Sequence, residues 1–251
     1  MKKLDIIKYD IKNKKIDKNI KLMFLSDLHN RNIVNEIIIT IKKENPDIII
    51  MGGDMINQSN DEMDNFFDLC KKVNNRKVYY VPGNHEEMLD DADKYDYMNK
   101  VSKYSVEIIY NDKVNITKNI ILYGFNSELD TYKKFRRHGI ETKDITDKLG
   151  VFDKNKFNIL IAHNPLEFDS YIDTNSDIVL SGHVHGGLVV LPLLGGLFSP
   201  DYTLFPKYYK GIYEKNNTKM IVSRGLGLSK RIPIRINNRP EITIINLIKN
   251  N

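Results

Sequence analysis

Apolar residues in this chain follow two rhythms. Short unbroken runs, Leu22-Met23-Phe24-Leu25, Ile48-Ile49-Ile50-Met51, Val78-Tyr79-Tyr80-Val81, Ile159-Leu160-Ile161 and Ile178-Val179-Leu180, read as strands covered on both faces. Between the first two, apolar positions 33, 34, 37, 38 and 41 keep helical spacing, closed before Pro46. The pattern predicts strands over 21–26, 47–51 and 77–81, with helices over 33–41 and near 61–73, a βαβαβ series. Alternation over 4–20 predicts a hairpin leading into the first core strand. A helix over 95–106 and a strand over 119–125 come next. Residues 128–155 are charged and weakly periodic, which predicts surface helix or loop over one rim. The second half predicts strands over 157–162, 177–181, 219–223 and 241–248, with few long helices between the last of them, so that sheet is expected to be mixed or antiparallel. The fold class is therefore α/β, with two sheets packed face to face and helices outside.

Composition narrows this picture only slightly. With 251 residues, 41% of them hydrophobic, the chain can form one large domain over 1–251 with a real core. Its 38 Lys+Arg against 33 Asp+Glu leave +5, dispersed along the chain. That balance argues against a dedicated nucleic-acid partner and suits an anionic substrate or an acidic lipid surface. The basic cluster Lys133 to His138 reads as a solvated face rather than a phosphate clamp. A single cysteine, Cys70, excludes an internal disulfide and sits on the apolar side of a predicted helix, where it packs. Met1-Lys2-Lys3-Leu4-Asp5 lacks the apolar core of a signal peptide, and no run reaches the ~18 residues of a membrane span, so a cytoplasmic protein is expected.

Each apolar run ends in residues that can hold a metal. Asp27 and His29 follow the first, Asp54 the second, Asn84 and His85 the third, His163 the fourth, and His183 and His185 the fifth. The pair His183-Val184-His185 by itself reads equally well as a half-exposed strand edge. Five strands in phase change that reading, because loops at the carboxyl edge of a sheet converge on one site. Asp27, His29, Asp54, Asn84, His163, His183 and His185 together offer two carboxylates, one amide oxygen and four imidazoles, without a thiolate. This donor set suits Mn²⁺ first, with Fe or Zn²⁺ as alternatives, and argues against copper(I) or an iron–sulfur cluster. Seven side chains exceed one ion; they fit two ions about 3.5–4 Å apart if a carboxylate bridges, which Asp54 can do. Such a pair keeps positive charge for a phosphate and brings a bound water to a pKa of roughly 7, a nucleophile at cellular pH.

Asp27-Leu28-His29, Gly53-Asp54, Gly83-Asn84-His85-Glu86, Ala162-His163 and Gly182-His183-Val184-His185 resemble the five blocks of the calcineurin-like metallophosphoesterase superfamily, in the same order. The resemblance implies a four-layer α/β/β/α sandwich of two mixed sheets with flanking helices around a centre of two divalent metal ions. It assigns Asp27, His29 and His185 to one ion, Asn84, His163 and His183 to the other, and Asp54 between them. It also implies that His85 is catalytic, protonating the leaving oxygen or stabilising the transition state rather than ligating. The tail, from Gly186-Gly187 through Leu191-Pro192-Leu193-Leu194 to Arg239-Pro240-Glu241, resembles a bacterial branch of small phosphodiesterases that includes enzymes of the membrane or cell envelope. Leu188 departs from that branch, where a polar residue is expected. Residues 188–198 are an apolar run broken by proline and glycines, read either as a buried loop beside the site or as a lip contacting lipid or a membrane surface. Arg224, after an apolar strand and before a glycine, is read as an anchor of its turn or as a phosphate contact. The expected activity is hydrolysis of a phosphoester, preferentially a small or lipid-linked phosphodiester. The alternatives are a nuclease on the same scaffold and a non-catalytic protein-binding module.

Overall fold

The structure, a computed structural model, describes residues 4–57, 63–132, 139–228 and 233–250. In chain order the elements are β1 (Asp5–Asn13), β2 (Ile20–Leu25), α1 (Val34–Glu44), β3 (Ile48–Gly52), α2 (Asp64–Lys72), β4 (Val78–Val81), α3 (Asn84–Glu87), α4 (Asp91–Val101), β5 (Val106–Ile108), β6 (Asp112–Asn115) and β7 (Ile120–Phe125). After a 3-10 turn over Leu129–Tyr132 follow α5 (Thr142–Leu149), β8 (Phe157–Ala162), α6 (Phe168–Ile172), β9 (Ile178–Ser181), β10 (Val190–Leu191), β11 (Gly195–Gly196), β12 (Gly211–Lys215), β13 (Thr218–Val222) and β14 (Glu241–Lys249).

One six-stranded sheet has the order β1-β14-β2-β3-β4-β5 and the other β12-β13-β9-β8-β7-β6. Strands β2, β3, β4 and β5 run parallel, as do β7, β8, β9 and β13, and antiparallel neighbours join each set: β14 beside β2, β6 beside β7, β12 beside β13. Both sheets are therefore mixed. Phe24, Ile50 and Tyr79 from the first sheet meet Leu122, Ile159 and Leu180 from the second in one buried layer. Ile37, Ile41, Phe66, Leu69 and Tyr97 cover the outer face of the first sheet, and Ile145, Leu149, Phe168 and Tyr171 that of the second. The four layers explain why the central strands are apolar throughout: each has a sheet on one side and helices on the other. The fold matches the α/β/β/α expectation, and Cys70 packs at 0% exposure inside the outer layer.

Three expectations are corrected. Residues 4–20 do not make a hairpin: Asp5–Asn13 is one strand, parallel to β14, and the chain after it turns through buried Ile16 instead of pairing back. Alternation marks a half-buried strand but not its partner. The strand at 241–249 belongs to the first sheet, between β1 and β2, and not with the other second-half strands. The helix expected over 95–106 is Asp91–Val101, because Asp90 caps it by accepting from the Asp93 N–H, and Val106 already opens β5. The basic cluster Lys133 to His138 lies outside the described residues.

The run 188–198 is neither wholly core nor wholly exposed. Leu188 is buried, β10 and β11 form a small hairpin, and its tip carries Leu193 and Leu194 into solvent. Gly187 and Gly196 allow the hairpin to lie against the turn after His185, since a Cβ on Gly187 would stand 2.6 Å from the Gly196 Cα. Among the described residues no helix is long and apolar enough to cross a membrane.

Candidate metal centre

The carboxyl ends of β2, β3, β4, β8 and β9 converge, two sheets contributing to one site; seven of the eight residues singled out in the sequence cluster there, and Asn84, at the start of α3, directly precedes His85. Asp27, His29 and His185 offer ligand atoms within 4.8 Å of one another, as do Asp54, His163 and His183, and also His29, Asp54 and His85. Asp54 thus stands in reach of histidines from both sides. Nε2 of His29 and Nε2 of His185 face each other at 2.9 Å, and His185 Nε2 is 3.4 Å from Asp27 Oδ1. On the other side His163 Nε2 is 3.1 Å from Asp54 Oδ2 and 3.7 Å from Asp27 Oδ1.

The donor atoms are those a cation would need. Among the described residues, Asn84 Oδ1 and His183 Nε2 are buried without a hydrogen-bond partner, and His163 Nε2 faces Asp54 Oδ2 at 3.1 Å. Leaving buried polar atoms unpaired costs roughly 1–3 kcal/mol each, so two such atoms on residues that flank the carboxylate and imidazole cluster fit a bound ion. With oxygen and imidazole donors only, the residues fit two divalent cations.

Hydrogen bonds behind the donors orient them. His163 Nδ1 lies 2.8 Å from the Gly52 carbonyl, which places the proton there and leaves Nε2 toward the centre. A Cβ on Gly53, whose φ is +90°, would come 2.6 Å from the same Nδ1, so glycine is required for β3 to pass so close. Asp27 accepts from the Ser26 hydroxyl at 2.6 Å and from the His183 N–H at 2.9 Å. Glu86, fully buried, accepts backbone N–H groups from Gly83, Asp54, Met55 and Ile56 at 2.7 to 3.2 Å, tying the loop after β3 to the loop after β4. The sequence showed Glu86 only as the last letter of its motif; its role needs the third dimension.

His85 differs from the others. Its Nδ1 sits 2.6 Å from the Asn57 carbonyl, its Nε2 3.9 Å from Asp54 Oδ2, and its side chain is 24% exposed where Asp54 is 2% exposed. The Tyr132 ring stands edge-on to His183 at 4.9 Å and walls the opposite side. Arg224 is not at the site: Nε reaches Glu241 at 2.5 Å and Nη2 reaches Asp5 at 3.1 Å, so it anchors the turn after β13 to β14 and β1.

Burial away from water dominates the electrostatics of these side chains. Burial raises Asp27 to about 6, with His163 opposing and Asp54 adding to the rise. Burial works against the charge on Asp54 too, but His163 and His85 outweigh it and hold its carboxyl well below the usual range. His163 in turn is raised to about 10, since Asp54 and Asp27 overcome its burial. Burial pushes His29 down to about 3 and His183 to about 4, and His185 also falls well below its ordinary value. Backbone strain is concentrated here: φ is positive at Asp27, His29, Asp54, His183 and His185, a cost of order 1–3 kcal/mol each that persists only where surrounding bonds impose it.

Comparison with known proteins gives a consistent answer. The model of the calcineurin-like phosphoesterase family matches residues 20–187. An uncharacterized metallophosphoesterase of Bacillus subtilis, YkuE, is 27% identical over 232 residues, covering 90% of this chain and 77% of that protein. The phosphodiesterase YaeI of Escherichia coli is 24% identical, covering 91% of this chain and 82% of its own length. Among solved structures, the phosphopantetheinyl hydrolase of Mycobacterium tuberculosis superposes with a TM-score of 0.52 at 15% identity, over 80% of this chain and 88% of that one, a likeness of fold.

Proposed function

The chain belongs to the calcineurin-like phosphoesterase family, and on that premise we propose that it is a two-metal phosphodiesterase acting on a small or lipid-linked phosphodiester. The supporting observation is the buried cluster itself: ligand atoms of Asp27, His29 and His185 lie within 4.8 Å of one another, those of Asp54, His163 and His183 likewise, and Asn84 Oδ1 and His183 Nε2 have no hydrogen-bond partner among the described residues. In this reading Asp27, His29 and His185 would hold one ion, Asn84, His163 and His183 the other, and Asp54 would serve both. Mn²⁺ is the first choice for these donors, before Fe or Zn²⁺. When bound, such ions polarise phosphoryl oxygens and acidify a water to serve as nucleophile.

The protein supplies orientation and a proton. Ser26, Gly52 and Glu86 hold Asp27, His163 and the Asp54 loop at fixed angles. His85 keeps Nδ1 on the Asn57 carbonyl and Nε2 3.9 Å from Asp54 Oδ2, and from this partly exposed position it donates a proton to the departing oxygen. Purified protein with added Mn²⁺ is expected to hydrolyse bis(p-nitrophenyl) phosphate, and a chelator to abolish this. A fully metal-loaded protein without turnover would leave a binding module instead. A panel of single-stranded DNA, cyclic nucleotides and lipid phosphodiesters then separates nuclease from small or lipid diesterase activity.

The lipid-linked part has its own support. Leu193, Leu194, Tyr202, Leu204 and Phe205 are more than half exposed on the hairpin and the segment after it, and Phe198 bridges to Leu204. Residues 189–240, which include these side chains, carry nine Lys+Arg and two Asp+Glu, a positive stretch of sequence. Both features fit an anionic bilayer surface. The protein is expected to float with anionic vesicles, and Leu193→Asp with Leu194→Asp to lose this while keeping turnover of the soluble diester. No flotation by the parent removes the lipid contact and leaves the phosphodiesterase.

A further inference from the structure

The turn carrying two of the histidines has an unusual backbone. φ is +67° at His183, +49° at His185, +66° at Gly186, +70° at Gly187 and +44° at Leu188. Glycine accepts such angles readily; histidine and leucine do not, so bonds from outside must hold them. Within the turn, the Val184 N–H donates to the Gly182 carbonyl and the Gly187 N–H to the Val184 carbonyl, both at 2.8 Å. Neither fixes the carbonyls of His185 or Leu188.

Those carbonyls are held from far along the chain. Asn238 Nδ2 donates to the His185 carbonyl at 2.6 Å and to the Leu188 carbonyl at 3.2 Å. The Ile236 N–H donates to the Leu188 carbonyl at 3.1 Å, and the Ile236 carbonyl accepts the Val190 N–H at 3.0 Å. Arg235 Nη1 reaches the His185 carbonyl at 3.5 Å and Nη2 lies 3.4 Å from His185 Nδ1, while Nε grips the Gly227 carbonyl at 3.0 Å. Both side chains are buried, Arg235 at 7% and Asn238 at 3% exposure.

We propose that residues 235–238 are a positioning clamp for the metal centre: Arg235 and Asn238 hold the His185 turn left-handed, so that His185 Nε2 faces His29 and Asp27. This rests on the two-ion reading above. It places part of the metal-binding apparatus outside residues 20–187, in a segment with no ligand of its own. Without the clamp the turn relaxes toward ordinary angles and His185 swings off the first ion. Asn84, at the start of α3, and His163, just after β8, lie outside the turn, and His183 is tied separately by its N–H to Asp27 Oδ1 at 2.9 Å, so the second ion keeps its ligands.

Asn238→Ala removes both carbonyl contacts without altering charge, and Arg235→Lys keeps the charge but loses the fork. Each is expected to weaken one ion by about 10–100-fold, the usual cost of removing a partner that orients a ligand, and to leave the other unchanged. Mn²⁺ titration followed by electron paramagnetic resonance reads this directly: the variants accumulate the signal of isolated Mn²⁺ at concentrations where the parent shows an exchange-coupled pair. Melting of the proteins without added metal accompanies it: a lower melting temperature is expected from the lost hydrogen bonds, but a merely structural role would weaken both ions together rather than one. Should Asn238→Ala fail to fold, Arg235→Lys decides alone. A parent that binds no pair of ions overturns the reading beneath; a parent that binds two, with variants binding both equally well, overturns the clamp.

Discussion

Asp54→Asn is expected to weaken both ions by more than about 10²-fold and to abolish diester turnover at any practical metal concentration. Two unit charges 4 Å apart interact by about 4 kcal/mol at an effective dielectric near 20, and a divalent ion doubles that. Even a third of this attraction, lost at either ion, exceeds a hundredfold in affinity. Geometry adds to the loss. Asp54 Oδ1 accepts the His85 N–H at 2.9 Å while Oδ2 faces His163, so both oxygens are engaged before any cation arrives. An asparagine has one oxygen: its amide group would set donor against donor at His85, or turn a donor toward the ion. Metal analysis and Mn²⁺ titration check this. A variant retaining two ions at parental affinity would show that Asp54 does not serve both, and the shared-carboxylate reading would fall with it.

What the sequence could convey, and what it could not, follows from how far each interaction reaches. The central strands were legible because burial on both faces leaves an unbroken apolar run such as Ile48 to Met51, and the ligand-type residues because each follows such a run directly. Strand pairing was not. Nothing local distinguishes β14, which joins β1 and β2, from a strand of the second sheet, since Ile242 to Leu247 would be equally apolar in either place. The same holds for the groups that support the site. Glu86 stands inside a motif, yet its four backbone donors lie up to 32 residues away. Arg235 and Asn238 belong to no motif and reach His185 from 50 and 53 residues downstream. Ligand identity is carried by residue type and phase; ligand orientation is carried by contacts that only the fold creates.

The role of His85 yields the second large effect. His85→Ala is expected to keep both ions and the fold, and to lose about 10²-fold or more in turnover if proton transfer to the leaving oxygen limits the rate. Its position supports this separation: Nδ1 is committed to the Asn57 carbonyl, Nε2 stands 3.9 Å from Asp54 Oδ2, and the ring is more exposed than any of the surrounding histidines. The size of the loss should depend on the substrate. An aryl diester such as bis(p-nitrophenyl) phosphate departs without much help from a proton, whereas an alkyl diester needs one, so the alkyl substrate should suffer the larger fall. An equal loss on both would point to stabilisation of charge in the transition state rather than proton donation. His29, Asp54 and His85 also lie close enough to share a cation, which makes ligation the competing role. Metal analysis separates the two: if His85→Ala loses metal as Asp54→Asn does, His85 is a ligand, and the proton must come from elsewhere.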